Sequence, residues 1–253
     1  MICIKSDREI GLMVRAGEIV GKVFERLEGE VRPGVTTRQL DTIAKEVIVS
    51  SGGKAAFLGY KGFPGNICAS INEVVVHGIP GERRLKEGDI ISLDVGAEFE
   101  GYYADAAATF AVGEISKEAG RLMEITERSL NLGIEKARAG NRLSDISCAV
   151  QGFVEQNGFS VVRSFVGHGI GSRIHEEPEV PNFGRPDTGV RLEAGMALAI
   201  EPMVNQGTFD VKILNDGWTA VTDDGKLSAH FEHTVLITKD KPRVLTLWQK
   251  KNR

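Results

Sequence analysis

Cysteine is scarce in this chain of 253 residues: Cys3, Cys68 and Cys148 are odd in number, widely spaced and without a CxxC pair. That excludes a disulfide framework and agrees with a reducing, cytoplasmic setting. No stretch approaches the roughly 18 consecutive apolar residues of a membrane span. The N-terminus, MICIKSDREI, lacks the apolar core and cleavage pattern of a signal peptide. A net charge of −4 gives no long-range attraction for nucleic acid. No Pro-, Ser- or Gln-rich tract and no block of like charge marks a linker. With 42% hydrophobic and 26% charged residues, the chain reads as a single soluble domain over residues 1–253.

What is present is a sentence written twice. Residues 84–94 read RLKEGDIISLD and residues 191–201 read RLEAGMALAIE. In each copy a Gly turn opens a short apolar run, which reads as a buried strand. Each run ends on an acid, Asp94 or Glu201. A carboxylate in such a strand is expensive unless it is paired or holds a metal, and meeting that cost twice at matching positions argues for a site shared between two halves. Arg32, Gly34 and Gly52 also lie 106 positions before Arg138, Gly140 and Gly158. Between the glycines both copies are amphipathic at helical spacing: Leu40, Ile43, Ala44 and Val47, then Ile146, Ala149, Val150 and Phe153. Thr36 and Gln39 have capping-box spacing. The repeat covers roughly residues 5–111 and 116–237, too long a period for a solenoid unit. The expectation is a duplicated α/β half folded against its own copy, with helices over residues 7–28, 37–51, 117–138 and 143–157 covering one side of the central strands.

Residues 91–110, ISLDVGAEFEGYYADAAATF, read as a hairpin turning near Phe99–Gly101. A turn centred on Phe99–Glu100 places Asp94 directly opposite Asp105, with Cβ atoms about 4.5–5.5 Å apart, or farther if Gly101 makes a bulge. Opposed like charges destabilise a hairpin unless a cation lies between them. The alternative is a solvated hairpin with exposed acids, which the apolar or small neighbours Leu93, Val95, Ala104 and Ala106 disfavour. Glu201 ends the repeated strand, and Glu232 sits in the strand-like SAHFEHTVLIT. His168 lies between glycines in FVGHGIG, where the backbone can approach closely. A lone His is more often structural than a ligand; one that joins four acids in apolar settings indicates a metal site. Four carboxylates and an imidazole form a hard shell without thiolate, suited to Mn²⁺, Fe²⁺, Co²⁺ or catalytic Zn²⁺. Their charge nearly neutralises two divalent ions, an arrangement used for hydrolysis.

At these residues the chain resembles the type I, bacterial-type methionine aminopeptidases. The resemblance runs nearly the whole length, through SINEVVVHGIP, GDIISLDVGAEFEGYYADAAATF, FVGHGIGSRIHEEPEVPNF, GMALAIEPM and DGWTAVTDDGKLSAHFEHT. It implies the pita-bread fold, two pseudo-symmetric α/β halves around a dinuclear metal site, and removal of the initiator Met from nascent chains when the second residue is small. It implies Asp94, Asp105, His168, Glu201 and Glu232 as metal ligands, with Asp105 and Glu232 bridging two divalent ions, Asp94 serving one, and His168 and Glu201 the other. His77 and His175 correspond to histidines beside the scissile peptide, acting with Glu201 in catalysis. The pocket for Met maps onto Tyr60, Phe63, Cys68 and Trp218, with Phe57 and Ile174 nearby. Phe63 and Ile174 stand where another aromatic is usual, Phe57 where a small thiol is common, and His230 where a polar amide is frequent. His230 is expected behind the ligands, on the same strand face as Glu232. The implied partners are nascent N-termini at the ribosome, and the expected state is a monomer that binds neither nucleic acid nor membrane. Two rivals differ in class. A proline-directed aminopeptidase of the same fold usually carries a further N-terminal domain, and a non-catalytic ribosome- or RNA-binding relative would have lost ligands or gained basic tails.

Overall fold

A computed structural model describes residues 2–249. Four helices form at the expected positions: α1 (Asp7–Glu28), α2 (Thr37–Ser50), α3 (Lys117–Lys136) and α4 (Leu143–Gln156). Their starts are chemically marked. Ser6 and Glu9 close a capping box on α1, Thr36 and Gln39 close one on α2, and the Ser116 hydroxyl accepts from the Ala119 N–H at the head of α3. Each cap satisfies backbone donors that a helix start would leave unpaired.

In chain order, the first half contributes β1 (Lys54–Ala55), β2 (Cys68–Ile71), β3 (Val74–Val76), β4 (Ile90–Phe99) and β5 (Tyr102–Ala111). The second contributes β6 (Ser160–Val161), β7 (Gly167–Gly169), β8 (Glu176–Val180), β9 (Ala197–Ile200), β10 (Met203–Asn205), β11 (Val211–Ile213), β12 (Ala220–Thr222), β13 (Ser228–His230), β14 (Glu232–Leu236) and β15 (Arg243–Val244). The large sheet runs β1-β4-β5-β14-β9-β7-β8, with β2 also on β4 and β15 on β14. Strands from both halves thus meet at its centre, where β5 pairs with β14 and β14 with β9.

Alternation along these strands decides which face holds the site. Ile91, Leu93 and Val95 of β4, Ala106 and Ala108 of β5, Leu198 and Ile200 of β9, and Val235 of β14 join one buried core with Phe24, Leu27, Leu40 and Ile48 of α1 and α2 and Leu130, Ile134 and Ile146 of α3 and α4. Asp94, Asp105 and Glu232 have the opposite parity, and Glu201 continues the non-core parity of β9. Burial of the apolar face is what holds the acids on the other.

Matching hydrogen bonds occur in the two segments that the 106-residue offset relates. The Gly34 N–H donates to the Leu85 carbonyl at 2.8 Å, the Leu85 N–H to Val35, and the Arg84 guanidinium to the Gly34 carbonyl. About 106 residues on, the Gly140 N–H donates to Leu192 at 2.9 Å, the Leu192 N–H to Asn141, and Arg191 to the Gly140 carbonyl. Gly34 and Gly140 have φ of 89° and 97°, a turn that only glycine adopts without strain.

Two expectations are corrected. The β4–β5 hairpin pairs Phe99 with Tyr102, so its two-residue loop is Glu100–Gly101, with φ of 49° and 85°. Two positive φ values are what a tight hairpin loop with the strands' twist requires, and the Glu98 carboxylate accepts from the Gly101 N–H at 3.1 Å. Asp94 therefore faces Ala107 and Asp105 faces Gly96, which makes the two acids diagonal neighbours on one face rather than a directly opposed pair. His230 and Glu232, moreover, do not share a strand. The chain leaves one sheet at Phe231, so that β13 pairs with β10 while β14 enters the large sheet.

Candidate active site

The side chains singled out in the sequence line one cavity of about 170 Å³: Tyr60, Phe63, Cys68, His77, Asp94, Asp105, His168, His175, Glu201, Trp218 and Glu232. Phe57 lines it as well, whereas Ile174 is packed in the surrounding apolar cluster. Lys61 also lines the cavity, and a single Lys in the loop segment GYKG carries no pattern that marks it in the sequence.

β4 and β5 carry Asp94 and Asp105, β7 carries His168, Glu201 follows the last residue of β9, and Glu232 opens β14. His168 stands where two backbones press together. A Cβ at Gly167 would collide with the Ala199 carbonyl, and one at Gly169 with the Glu177 carbonyl. The His168 Nδ1 lies 2.9 Å from the Gly169 carbonyl, which assigns the proton to Nδ1 and leaves Nε2 as a lone-pair donor facing the cavity. That Nε2 is 3.6 Å from both Asp105 Oδ2 and Glu201 Oε1. Burial lowers the His168 pKa to about 4, so these are not ion pairs but a neutral nitrogen beside carboxylates.

The acids are held at electrostatic cost. Burial first, and then mutual repulsion, push Asp94, Glu201 and Glu232 well above the usual carboxylate range. Burial raises Asp105 to about 6 although His175 and a hydrogen bond from Thr234 pull the other way. Asp105, His168 and Glu232 present ligand atoms within 4.8 Å of one another, all buried. Asp94 Oδ1 and His230 Nε2 are buried without a hydrogen-bond partner, and His230 Nε2 points at Glu201 Oε2 from 3.7 Å. Crowded carboxylates, a deprotonated imidazole nitrogen and an orphaned carboxylate oxygen are the donor set of a hard divalent cation, which fits these residues.

The two further histidines flank the cavity. His175 lies over the Tyr60 ring at 5.1 Å and against His168 at 4.2 Å. His77 follows β3 with φ of 59° and sits edge-on to Phe165 and Trp218. Trp218 reaches it because β12 pairs with β3. Burial lowers the pKa of both, that of His175 to about 4. Both are thus neutral N–H donors at neutral pH. Across from Asp94 on β2, Cys68 bonds the Asp94 carboxyl through its thiol, and burial followed by the charge of Asp94 raises the thiol pKa. Phe63 meets Trp218 edge-on at 5.1 Å, giving the cavity an apolar wall.

Residues 11–239 match the family described as Metallopeptidase family M24. The methionine aminopeptidase of Clostridium perfringens is 57% identical over 98% of this chain and 99% of its own length, and methionine aminopeptidase 1 of Bacillus subtilis is 52% identical over 97% and 99%. The crystal structure of methionine aminopeptidase from Thermotoga maritima superposes with a TM-score of 0.96 at 45% identity, covering 97% of this chain and 99% of that one. The prolidase from Pyrococcus horikoshii shares the fold at a TM-score of 0.79 and 22% identity, with this chain spanning 64% of its length. Among the described residues no helix is long and apolar enough to cross a membrane. With its pita-bread architecture and a buried donor set suited to a metal, the chain belongs to metallopeptidase family M24.

Proposed function

We propose that this chain is a methionine aminopeptidase that removes the N-terminal Met of newly made proteins when the second residue is small. The observation that carries the reading is that a hard-ligand cluster, two neutral histidines and an apolar wall share one cavity, in a chain whose full-length relatives are named for that activity. Asp94, Asp105, His168, Glu201 and Glu232 would hold two divalent ions, of Co, Mn, Fe or Zn. Bound there, the metal supplies Lewis-acid polarisation of the scissile carbonyl and activation of water. Tyr60, Phe63, Cys68 and Trp218 receive the Met side chain, where sulfur–aromatic contacts reward the thioether modestly. His175 and His77, uncharged, donate N–H to the carbonyl oxygen as it gains charge and to the leaving peptide nitrogen. The Glu201 carboxylate would accept a proton and return it to the leaving amine. The reading places the enzyme in the cytoplasm, as a monomer acting on nascent chains at the ribosome.

The test is turnover of Met-Ala-Ser, Met-Lys-Ser, norleucine-Ala-Ser, Leu-Ala-Ser and Ala-Pro peptides. The reading expects fast release from Met-Ala-Ser, norleucine as the best substitute, weak release from Met-Lys-Ser, and none from Ala-Pro. Equal turnover of Leu- and Met-initiated peptides, or preference for Ala-Pro, would replace it with a general or proline-directed aminopeptidase.

A further inference from the structure

Lys5 and Glu176 form an ion pair at 2.7 Å with side chains only 4% and 7% exposed. Every other Lys or Arg ion pair among the described residues has at least one partner well exposed. A pair buried on both sides is a poor source of stability, because desolvation offsets the attraction; what it does provide is a fixed geometry. Here the geometry concerns the loop that ends in His175. Glu176 is the next residue, and its other oxygen accepts from the Arg173 N–H at 3.1 Å and the Ser172 hydroxyl at 3.2 Å. Lys5 is itself anchored: its N–H donates to the Gly195 carbonyl at 2.8 Å, at the turn leading into the strand before Glu201, and its ammonium also donates to the Cys3 carbonyl. Room for the pair exists because residue 171 is glycine; a Cβ there would lie 2.8 Å from the Glu176 carboxylate. From the opposite side the Tyr103 N–H holds the Gly171 carbonyl at 2.9 Å.

We infer that Lys5 is a positioning residue for the reaction, clamping Glu176 so that His175 stays stacked on Tyr60, against His168, and aimed into the cavity. The inference rests on the role proposed for His175. A displacement of about 1 Å in such a group can cost on the order of 10²-fold in rate.

The experiment is a double-mutant cycle on kcat and KM for Met-Ala-Ser, with metal content measured for each protein. Lys5→Met, which keeps the stem and loses the charge, is expected to lower kcat about tenfold or more while KM and metal content stay within about twofold. Lys5→Arg, which restores the charge, should recover part of the rate. In a His175→Ala background Lys5→Met should cost less than about twofold more, since there is no imidazole left to position. If Lys5→Met does not fold, Glu176→Gln, which keeps an acceptor for Arg173, carries the same comparison. An equal loss in both backgrounds, or wild-type kcat in the charge-removing variant, overturns the inference. Wild-type kcat in His175→Ala alone overturns the role of His175, and the clamp with it.

Discussion

Replacing Asp105 by Asn should make the metal-free protein more stable while destroying its capacity for metal. Asp105 is buried at the centre of the acid cluster, and its charge is among the causes that raise Asp94, Glu201 and Glu232. Its own pKa rises from 3.8 to about 6. The folded, metal-free chain therefore keeps the Asp105 proton up to about pH 6, whereas the unfolded chain releases it near pH 3.8. Between those values the folded state binds more protons, so stability falls as pH rises, and above about pH 6 the loss is complete. For Asp105 alone the cost at neutral pH is about 3 kcal/mol. Asn removes the charge but keeps Oδ1 as the acceptor for the Thr234 hydroxyl, which lies at 3.1 Å. Urea unfolding of chelated protein, followed by tryptophan fluorescence at about pH 4.5 and about pH 7.5, isolates the effect as a difference between wild type and variant. Wild type should lose about 2 kcal/mol more than Asp105→Asn across that interval, the part of the total that falls above about pH 4.5. Saturating Mn²⁺ should restore wild type by about 2.7 kcal/mol at a hundredfold excess over its dissociation constant, and leave the variant unmoved. Identical pH dependence in the two proteins, or a variant less stable than wild type in the metal-free state at about pH 7.5, would refute the claim that the carboxylates are held together against their own repulsion.

Glu232→Ala should lose bound metal, by elemental analysis, together with all measurable turnover; retention of either would remove Glu232 from the ligands. Gly169→Ala should drive the β7 backbone off the Glu177 carbonyl and move the imidazole of His168, so its melting temperature and metal affinity should fall together, with a cost on the order of 2 kcal/mol or more for a forced contact in a packed site. Wild-type affinity in that variant would show that the tight approach is dispensable. His175→Ala should retain its metal and lose about 10²-fold or more in kcat, as expected for a donor to developing charge; loss of metal with the rate preserved would instead make His175 a ligand.

The helix after Thr36 was legible twice over, by its apolar stripe and by the cap Thr36 forms with Gln39, whereas α4 was legible by its stripe alone, since its N-cap position is Arg142. The acids were legible because Asp94, Glu201 and Glu232 interrupt apolar strand sequence, where an unpaired carboxylate is costly. The hairpin register was read one residue off at its loop, since Glu100 is not a residue that announces a positive φ, and the shift turned a directly opposed acid pair into a diagonal one. The break at Phe231 was hidden for a similar reason: SAHFEHTVLIT is apolar enough to read as one strand, and only pairing partners distant in sequence divide it between two sheets. Lys61 and the Lys5–Glu176 pair carry no local pattern. The latter joins residues 171 positions apart, and nothing in KSDREI or IHEEPEV tells which charge meets which.

The buried carboxylates and His168 would hold divalent metal, and that metal would make the cavity a Met-releasing site. This is tested most directly by measuring Met release from Met-Ala-Ser on exhaustively chelated protein while Mn²⁺ or Co²⁺ is titrated back and bound metal is counted. The predicted result is no release without metal, then a rise that follows occupancy and saturates by two ions per chain. Full release from the metal-free protein, or metal binding that leaves Met-Ala-Ser intact, would contradict it.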